Sequence, residues 1–278
     1  MANSNNWHTA LITGANSGIG LALTKQLLQQ GWHVAVLNRS DFPEDDRQIK
    51  QAIRDRSLRV YRADLADFSQ LRAALQQIKS AETAIDVLFN NAGGSFPELL
   101  YSKQGRELHM ELHTIVPYIL TNELKELLLQ GSMRTVVGTS TNAFATLKSF
   151  DPSSLLKPEA PFRKLFGPYA TSKLALSLWV HEAAPEFSRQ GIRLLSADPG
   201  GNNTLRPGNK SGLPFYLRPV MKLLFPPPST GAGLLLDAAT NRHPAGSYLV
   251  KNKPAALKFT QHGKEVLAMV DRIYKGEF

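Results

Sequence analysis

Thr9-Ala10-Leu11-Ile12-Thr13-Gly14-Ala15-Asn16-Ser17-Gly18-Ile19-Gly20 is the stretch on which the fold turns. A short apolar run ends in glycine, two more glycines follow, and the segment 19–30 then carries helical spacing. Strand, glycine-rich turn and helix in that order give a glycine motif its meaning. Gly14 permits the tight turn, Gly18 leaves room for a pyrophosphate beside the backbone, and Gly20 lets helix and strand pack closely. Asn16, Ser17 and Ile19 bring backbone N–H groups and the positive end of the helix to a phosphate. The turn therefore reads as a dinucleotide cradle.

Outward from it, apolar strand patterns (33–37, 59–65, 85–89, 135–139, 192–197) alternate with helical ones (44–54, 68–79, 104–130, 168–189). The strands are apolar runs rather than polar–apolar alternations, as expected when both faces are covered. The pattern predicts an α/β fold, a doubly wound parallel sheet of about seven strands with helices on both faces. No flexible linker divides the 278 residues, so residues 1–278 read as one domain. Two proline-rich stretches break the rhythm: an insertion at 147–167 and a lid over the substrate region at 205–228.

Composition narrows the function. Hydrophobic residues make up 42% and charged residues 20%, as in a globular protein with a sizeable core. There is no cysteine, which excludes disulfides, thiolate metal sites and a cysteine nucleophile, and no metal is expected. A reducing cytoplasm is the default compartment. The first residues lack a signal-peptide pattern, and the apolar stretches are too short to span a membrane. The net charge of +9 is dispersed, without a recognition helix or zinc finger, so it reads as a solvated surface rather than a nucleic-acid footprint.

The choice of dinucleotide falls at the end of the second strand, Leu37-Asn38-Arg39-Ser40. An acidic residue there would bond the ribose hydroxyls of NAD. Asn38 has no charge to repel a 2′-phosphate, and Arg39 offers it a guanidinium fork, so NADP(H) is expected over NAD(H). Asp41 stands close enough in sequence to pair with Arg39 and blunt that preference.

Tyr169 and Lys173 lie four apart at the start of a helical stretch and share one face. A tyrosine with an ordinary pKa near about 10 is a reluctant base at neutral pH, and a nearby ammonium would lower it. Tyr169 is thus the expected general acid/base, with Lys173 tuning it. Ser140, at the carboxyl end of the fifth strand, is expected to hold the substrate oxygen; Thr141 takes that role if the strand runs one residue longer.

Together these motifs resemble the short-chain dehydrogenase/reductase family over about the first two hundred residues. The resemblance implies that residues 13–20 form the cofactor turn and that Asp64-Leu65 contact the adenine. It implies that Asn90-Asn91-Ala92-Gly93 line the cofactor, and that the segment from Pro199 and Gly200 to Thr204 meets the carboxamide. Tyr169 and Lys173 match the family's tyrosine–lysine pair. The region is also similar to the retinol-dehydrogenase-like branch, whose members act on apolar alcohols and aldehydes. One position departs: where the family often has an asparagine that holds a relay water, this chain has His113. It is either a substitute in the proton relay or a buried structural histidine.

The lid carries Leu213, Phe215, Tyr216, Leu217 and Phe225, which points to a small apolar carbonyl or alcohol substrate. Arg218 and Lys222 beside them suggest peripheral contact with an anionic membrane. Both monomer and homodimer fit the apolar positions of residues 108–129. The competing reading is an NADP-binding regulatory or scaffold protein of the same fold with little or no turnover.

Overall fold

The computed structural model describes residues 7–158, 161–204 and 225–278, and within them the alternation becomes one eight-stranded sheet. The strands are β1 (Thr9–Thr13), β2 (His33–Asn38), β3 (Leu58–Arg62), β4 (Val87–Asn90), β5 (Thr135–Thr139), β6 (Arg193–Asp198), β7 (Tyr248–Val250) and β8 (Lys253–Pro254). Their order is β3-β2-β1-β4-β5-β6-β7-β8; all neighbours are parallel except the last pair. The strand order reverses between β1 and β4, and ligands of open parallel sheets bind at the carboxyl edge of that switch point.

Side chains of a strand alternate between faces, and β1 shows what that achieves. Leu11 enters one buried cluster, while Ala10 and Ile12 enter the other. On the second face lie α1 (Gly18–Gln29), α2 (Arg47–Arg54) and a helix at Pro228–Thr240. On the first lie α3 (Phe68–Ala81), the segments from Leu108 to Gln130, α7 (Pro168–Arg189) and the helix Gly263–Glu277. The helices at Pro228–Thr240 and Gly263–Glu277 are α8 and α9.

Several boundaries differ from the sequence expectation for local reasons. The strand expected at 59–65 ends at Arg62, because Asp67 caps α3 through the Ser69 and Gln70 N–H groups and the chain must turn first. The helix expected from 44 starts at Arg47, where Asp46 accepts the Ile49 N–H at 3.3 Å. The single helix expected at 104–130 is broken. Its parts are α4 (Leu108–Met110), a π-helical turn (Glu111–Ile115), α5 (Val116–Glu123) and α6 (Lys125–Gln130). Pro117 explains the widened turn: it has no N–H for the His113 carbonyl, and its ring crowds that carbonyl.

Among the described residues of the insertion at 147–167, Pro152–Ser154 form a 3-10 turn. Most of the expected lid, including Arg218 and Lys222, lies outside the described residues. Among the described residues no helix is long and apolar enough to cross a membrane.

Candidate active site

The turn from β1 into α1 is shaped by its glycines. Gly14 and Gly18 adopt φ of 66° and 53°, the left-handed region that glycine enters freely. A Cβ on Gly20 would lie 2.2 Å from the Gly14 carbonyl oxygen and 2.6 Å from Asn91 Nδ2. Ser17, the residue before α1, makes no side-chain cap, and the first turn holds no acid. The helix start therefore keeps its positive end and its N–H groups for an anion. Asn16 turns aside to donate through Nδ2 to Ser40 Oγ at 2.9 Å. Ile19 packs partly buried on the α1 face of the sheet.

At the end of β2 the two expected residues separate. Asn38 is buried, and its Oδ1 accepts the Ala15 N–H at 2.6 Å. It braces the glycine turn from below, while its buried Nδ2 has no partner. Arg39 is the outward group, with its side chain 76% exposed and its guanidinium 4.0 Å from Asp64. Asp41 pairs with Arg62 instead, so the rivalry foreseen for Arg39 comes from Asp64. Leu65, beside Asp64, is buried.

The loop after β4 is tied to the glycine turn. Asn91 Nδ2 donates to the Thr13 and Gly14 carbonyls at 3.0 and 3.2 Å. The Thr13 hydroxyl accepts the N–H groups of Asn91 and Ala92 at 3.0 and 2.9 Å. Thr13 had no assigned role; its sign in the sequence is a hydroxyl closing an otherwise apolar strand. Gly93 follows at φ 134° against the His113 ring. After β6, Pro199 and Gly200 give their carbonyls to Asn202 Nδ2, and Thr204 packs against Gly18.

Tyr169 and Lys173 enter the same region from the first turns of α7. The Tyr169 hydroxyl meets Thr141 rather than Ser140. Ser140 is buried and turned into α7, its Oγ 2.7 Å from Ser177 Oγ and 3.4 Å from the Lys173 carbonyl. Of the two hydroxyls weighed from the sequence, Thr141 is the one beside the phenol. Lys173 is buried, and its Nζ donates to the Thr139 carbonyl at 2.6 Å.

The charge states differ from the expectation. Burial pushes the Tyr169 phenol up, Thr141 pulls it back, and the Asp198 carboxylate pushes it up again. Burial also lowers Lys173 to about 7. The expected lowering of Tyr169 by the Lys173 ammonium is not found: burial and the Asp198 carboxylate raise the phenol, and the opposing pull comes from Thr141. Asp198 itself is pushed up by burial, while the Gly200 N–H, at 3.0 Å, and the Asn142 N–H hold it down. Sequence reading passed over Asp198, whose signal is an acid ending an apolar strand directly before Pro199-Gly200.

Residues 8–148 match the short chain dehydrogenase family model. The chain belongs to the short-chain dehydrogenase family. It is 31% identical over 212 residues to a short-chain dehydrogenase/reductase of Pestalotiopsis fici, covering 70% of this chain and 64% of that one. It is 30% identical over 229 residues to retinol dehydrogenase 14 of Mus musculus, covering 78% of this chain and 67% of that one. The chain thus spans about two thirds of these relatives' own length. Among solved structures it is similar to the NADPH-bound carbonyl reductase from chicken fatty liver, at 19% identity and a TM-score of 0.64. That match covers 90% of this chain and 99% of the other. The likeness confirms the Rossmann-type sheet.

A nicotinamide dinucleotide of the kind this family binds fits the residues present. A Cβ on Gly14 or Gly20 would meet backbone, Gly18 takes the left-handed φ of 53°, the α1 N-terminus is uncapped, and the buried Asn38 Nδ2 at the turn has no partner. Among the described residues no cluster of three or more histidine, cysteine or acidic side chains is placed to bind a metal.

Proposed function

We propose that this short-chain dehydrogenase is an NADP(H)-dependent oxidoreductase acting on an apolar carbonyl or alcohol. The observation carrying this reading is the Tyr169 phenol, which lies beside the Thr141 side chain just past the carboxyl end of β5. When bound, the dinucleotide supplies or receives the hydride. Tyr169 protonates the carbonyl oxygen of the substrate; its raised pKa keeps that proton in place at neutral pH and favours the reductive direction. Thr141 Oγ1 holds the same oxygen. Gly14, Gly18 and Gly20 make room for the pyrophosphate, and the α1 N–H groups bind it. Asn91, Ala92 and Gly93, with the segment Pro199 to Thr204, flank the nicotinamide end. Lys173 braces the end of β5 through the Thr139 carbonyl and offers an amine to the ribose.

Arg39 is the group suited to a 2′-phosphate. Solved relatives of similar fold hold NADPH in one case and a partially ordered NAD in another, so the choice rests on Arg39. A charge-assisted hydrogen bond contributes roughly 1.5–3 kcal/mol, less at an exposed side chain. Arg39→Ala is therefore expected to weaken NADPH binding by about tenfold and leave NADH binding unchanged. The reading as a whole is tested by NADPH oxidation against a panel of apolar aldehydes and ketones, with Tyr169→Phe as control. Turnover that Tyr169→Phe abolishes while NADPH still binds supports it. Tight NADPH binding without oxidation of any substrate favours a regulatory NADP-binding protein.

A further inference from the structure

His109 and His113 stand one helical turn apart, and both are fully buried. Nε2 of His113 accepts the Gly94 N–H at 3.1 Å, and Nε2 of His109 accepts the Phe96 N–H at 3.1 Å. The two rings thus take two alternate N–H groups of the loop leaving β4. A ring nitrogen that accepts carries no hydrogen, so each ring hydrogen lies on Nδ1. His113 Nδ1 gives its hydrogen to Ser172 Oγ at 3.0 Å, and Ser172 Oγ donates to the Tyr169 carbonyl at 3.0 Å. His109 Nδ1 donates to Glu107 Oε1 at 2.7 Å, and the other oxygen of Glu107 accepts the Met110 N–H at 2.9 Å.

Both rings also stand edge-on to the Tyr169 ring. The centroid separations are 5.5 Å for His113 and 6.1 Å for His109, with interplanar angles of 89° and 84°. The fit depends on Gly93, where a Cβ would lie 2.3 Å from His113 Cδ2 and Nε2. Thr114 adds a second tie to α7, its hydroxyl donating to the Ser172 carbonyl at 2.7 Å.

We propose that His109 and His113 form a neutral two-ring clamp that positions Tyr169 against the loop 93–96. His113 is then a positioning residue, not a proton carrier. The inference rests on Tyr169 being the acid/base group, and it adds what fixes that phenol in place. Every nitrogen of both rings is engaged, so His113 has none left to pass a proton. Protonating its Nε2 would set two donors facing each other in a buried space. The ionisable groups around His113 are Tyr169 and Lys173 from α7 and His109 on its own segment, with Glu107 behind His109. Burial above all, and then the Lys173 charge, push its titration well below the ordinary imidazole range.

The test uses the unliganded protein labelled with 15N in histidine, followed by two-bond 1H–15N correlation from about pH 5 to 8. His113 is assigned by the signal lost in His113→Gln. The clamp requires a His113 ring with hydrogen on Nδ1, a bare Nε2 and no titration in that range. A His113 that titrates near about 6.5, or that carries its hydrogen on Nε2, overturns it. A kinetic arm compares His113→Phe, which keeps a ring and loses both bonds, with His113→Gln, which restores an acceptor near the Nε2 position. The clamp predicts a fall in kcat of about tenfold to a hundredfold in His113→Phe, an unshifted pH profile, and partial recovery in His113→Gln. A displaced pH profile in His113→Phe overturns the clamp in favour of a relay. Should the unaltered protein turn over no substrate, the acid/base reading fails, and the histidine spectra still decide the clamp.

Discussion

Lys173→Met should stabilise the unliganded protein at neutral pH while abolishing turnover. The amine is buried, with Lys173 4% exposed, and its pKa falls from 10.5 to about 7. A lysine whose folded pKa lies below its unfolded value costs stability. Below about pH 7 both states hold the proton and the penalty is complete. Between about 7 and 10.5 the unfolded chain binds more protons than the folded one, so stability rises with pH until the penalty is gone. At about 1.36 kcal/mol per pKa unit, the full penalty has an upper bound of about 5 kcal/mol. Methionine fills nearly the same volume but leaves the Thr139 carbonyl without its donor, a loss of roughly 1–3 kcal/mol. The net gain at pH 7 is then about 2–3 kcal/mol. With an unfolding entropy of roughly 2.1 cal/mol/K per residue, that raises Tm by about 4 °C. The assay is thermal unfolding of both proteins across pH. The curves should converge as pH rises, cross between about pH 8 and 10 where the remaining penalty equals the lost hydrogen bond, and invert above that. A variant less stable than the parent at pH 7, or a difference independent of pH, refutes the buried-amine reasoning.

The remaining tests bear on the rest of the site. Thr141→Val should lower kcat/KM by about tenfold or more, since it removes the hydroxyl beside Tyr169. Ser140→Ala, which cuts the bond to Ser177, should act mainly on Tm; the reverse ranking in steady-state kinetics would restore Ser140 to the substrate. Gly20→Ala drives a Cβ into the Gly14 carbonyl and should cost roughly 1–3 kcal/mol of stability and weaken NADPH binding, both read by thermal shift with and without cofactor. Gly233→Ala, in α8 with open space around it, should be neutral or stabilise by up to about 1 kcal/mol. The helix α9 buries Val266, Val270 and Ile273 against the face formed by α5 and α7, and ties it down through Tyr118 to Asp271 and Tyr274 to Glu123. A second copy cannot use that covered face, so sedimentation should find single chains, with Val270→Asp exposing the face and driving self-association.

The parts of this molecule legible in its sequence are those set by neighbours in the chain. Strand periodicity gives β1, β2 and β5 because each apolar run is buried on both sides, and the glycine spacing locates the tight turn from β1 into α1 because φ and clearance are local properties. The (i, i+4) rule likewise set Tyr169 and Lys173 on one face. What the sequence hid are contacts made across the fold. The direction of Ser140 is decided by Ser177, 37 residues on, and the break in the long helix by the fit of Pro117 behind a buried turn. His113 was visible as a departure from its family, yet its two partners lie 19 and 59 residues away. Charge is the least local property of all. The same lysine that spacing places beside a tyrosine would acidify it in water, but in a dry interior it loses its own proton first, because desolvation grows with everything packed around it. Chain spacing therefore tells which groups meet, and the surrounding packing tells in which protonation state they meet; a mechanism needs both.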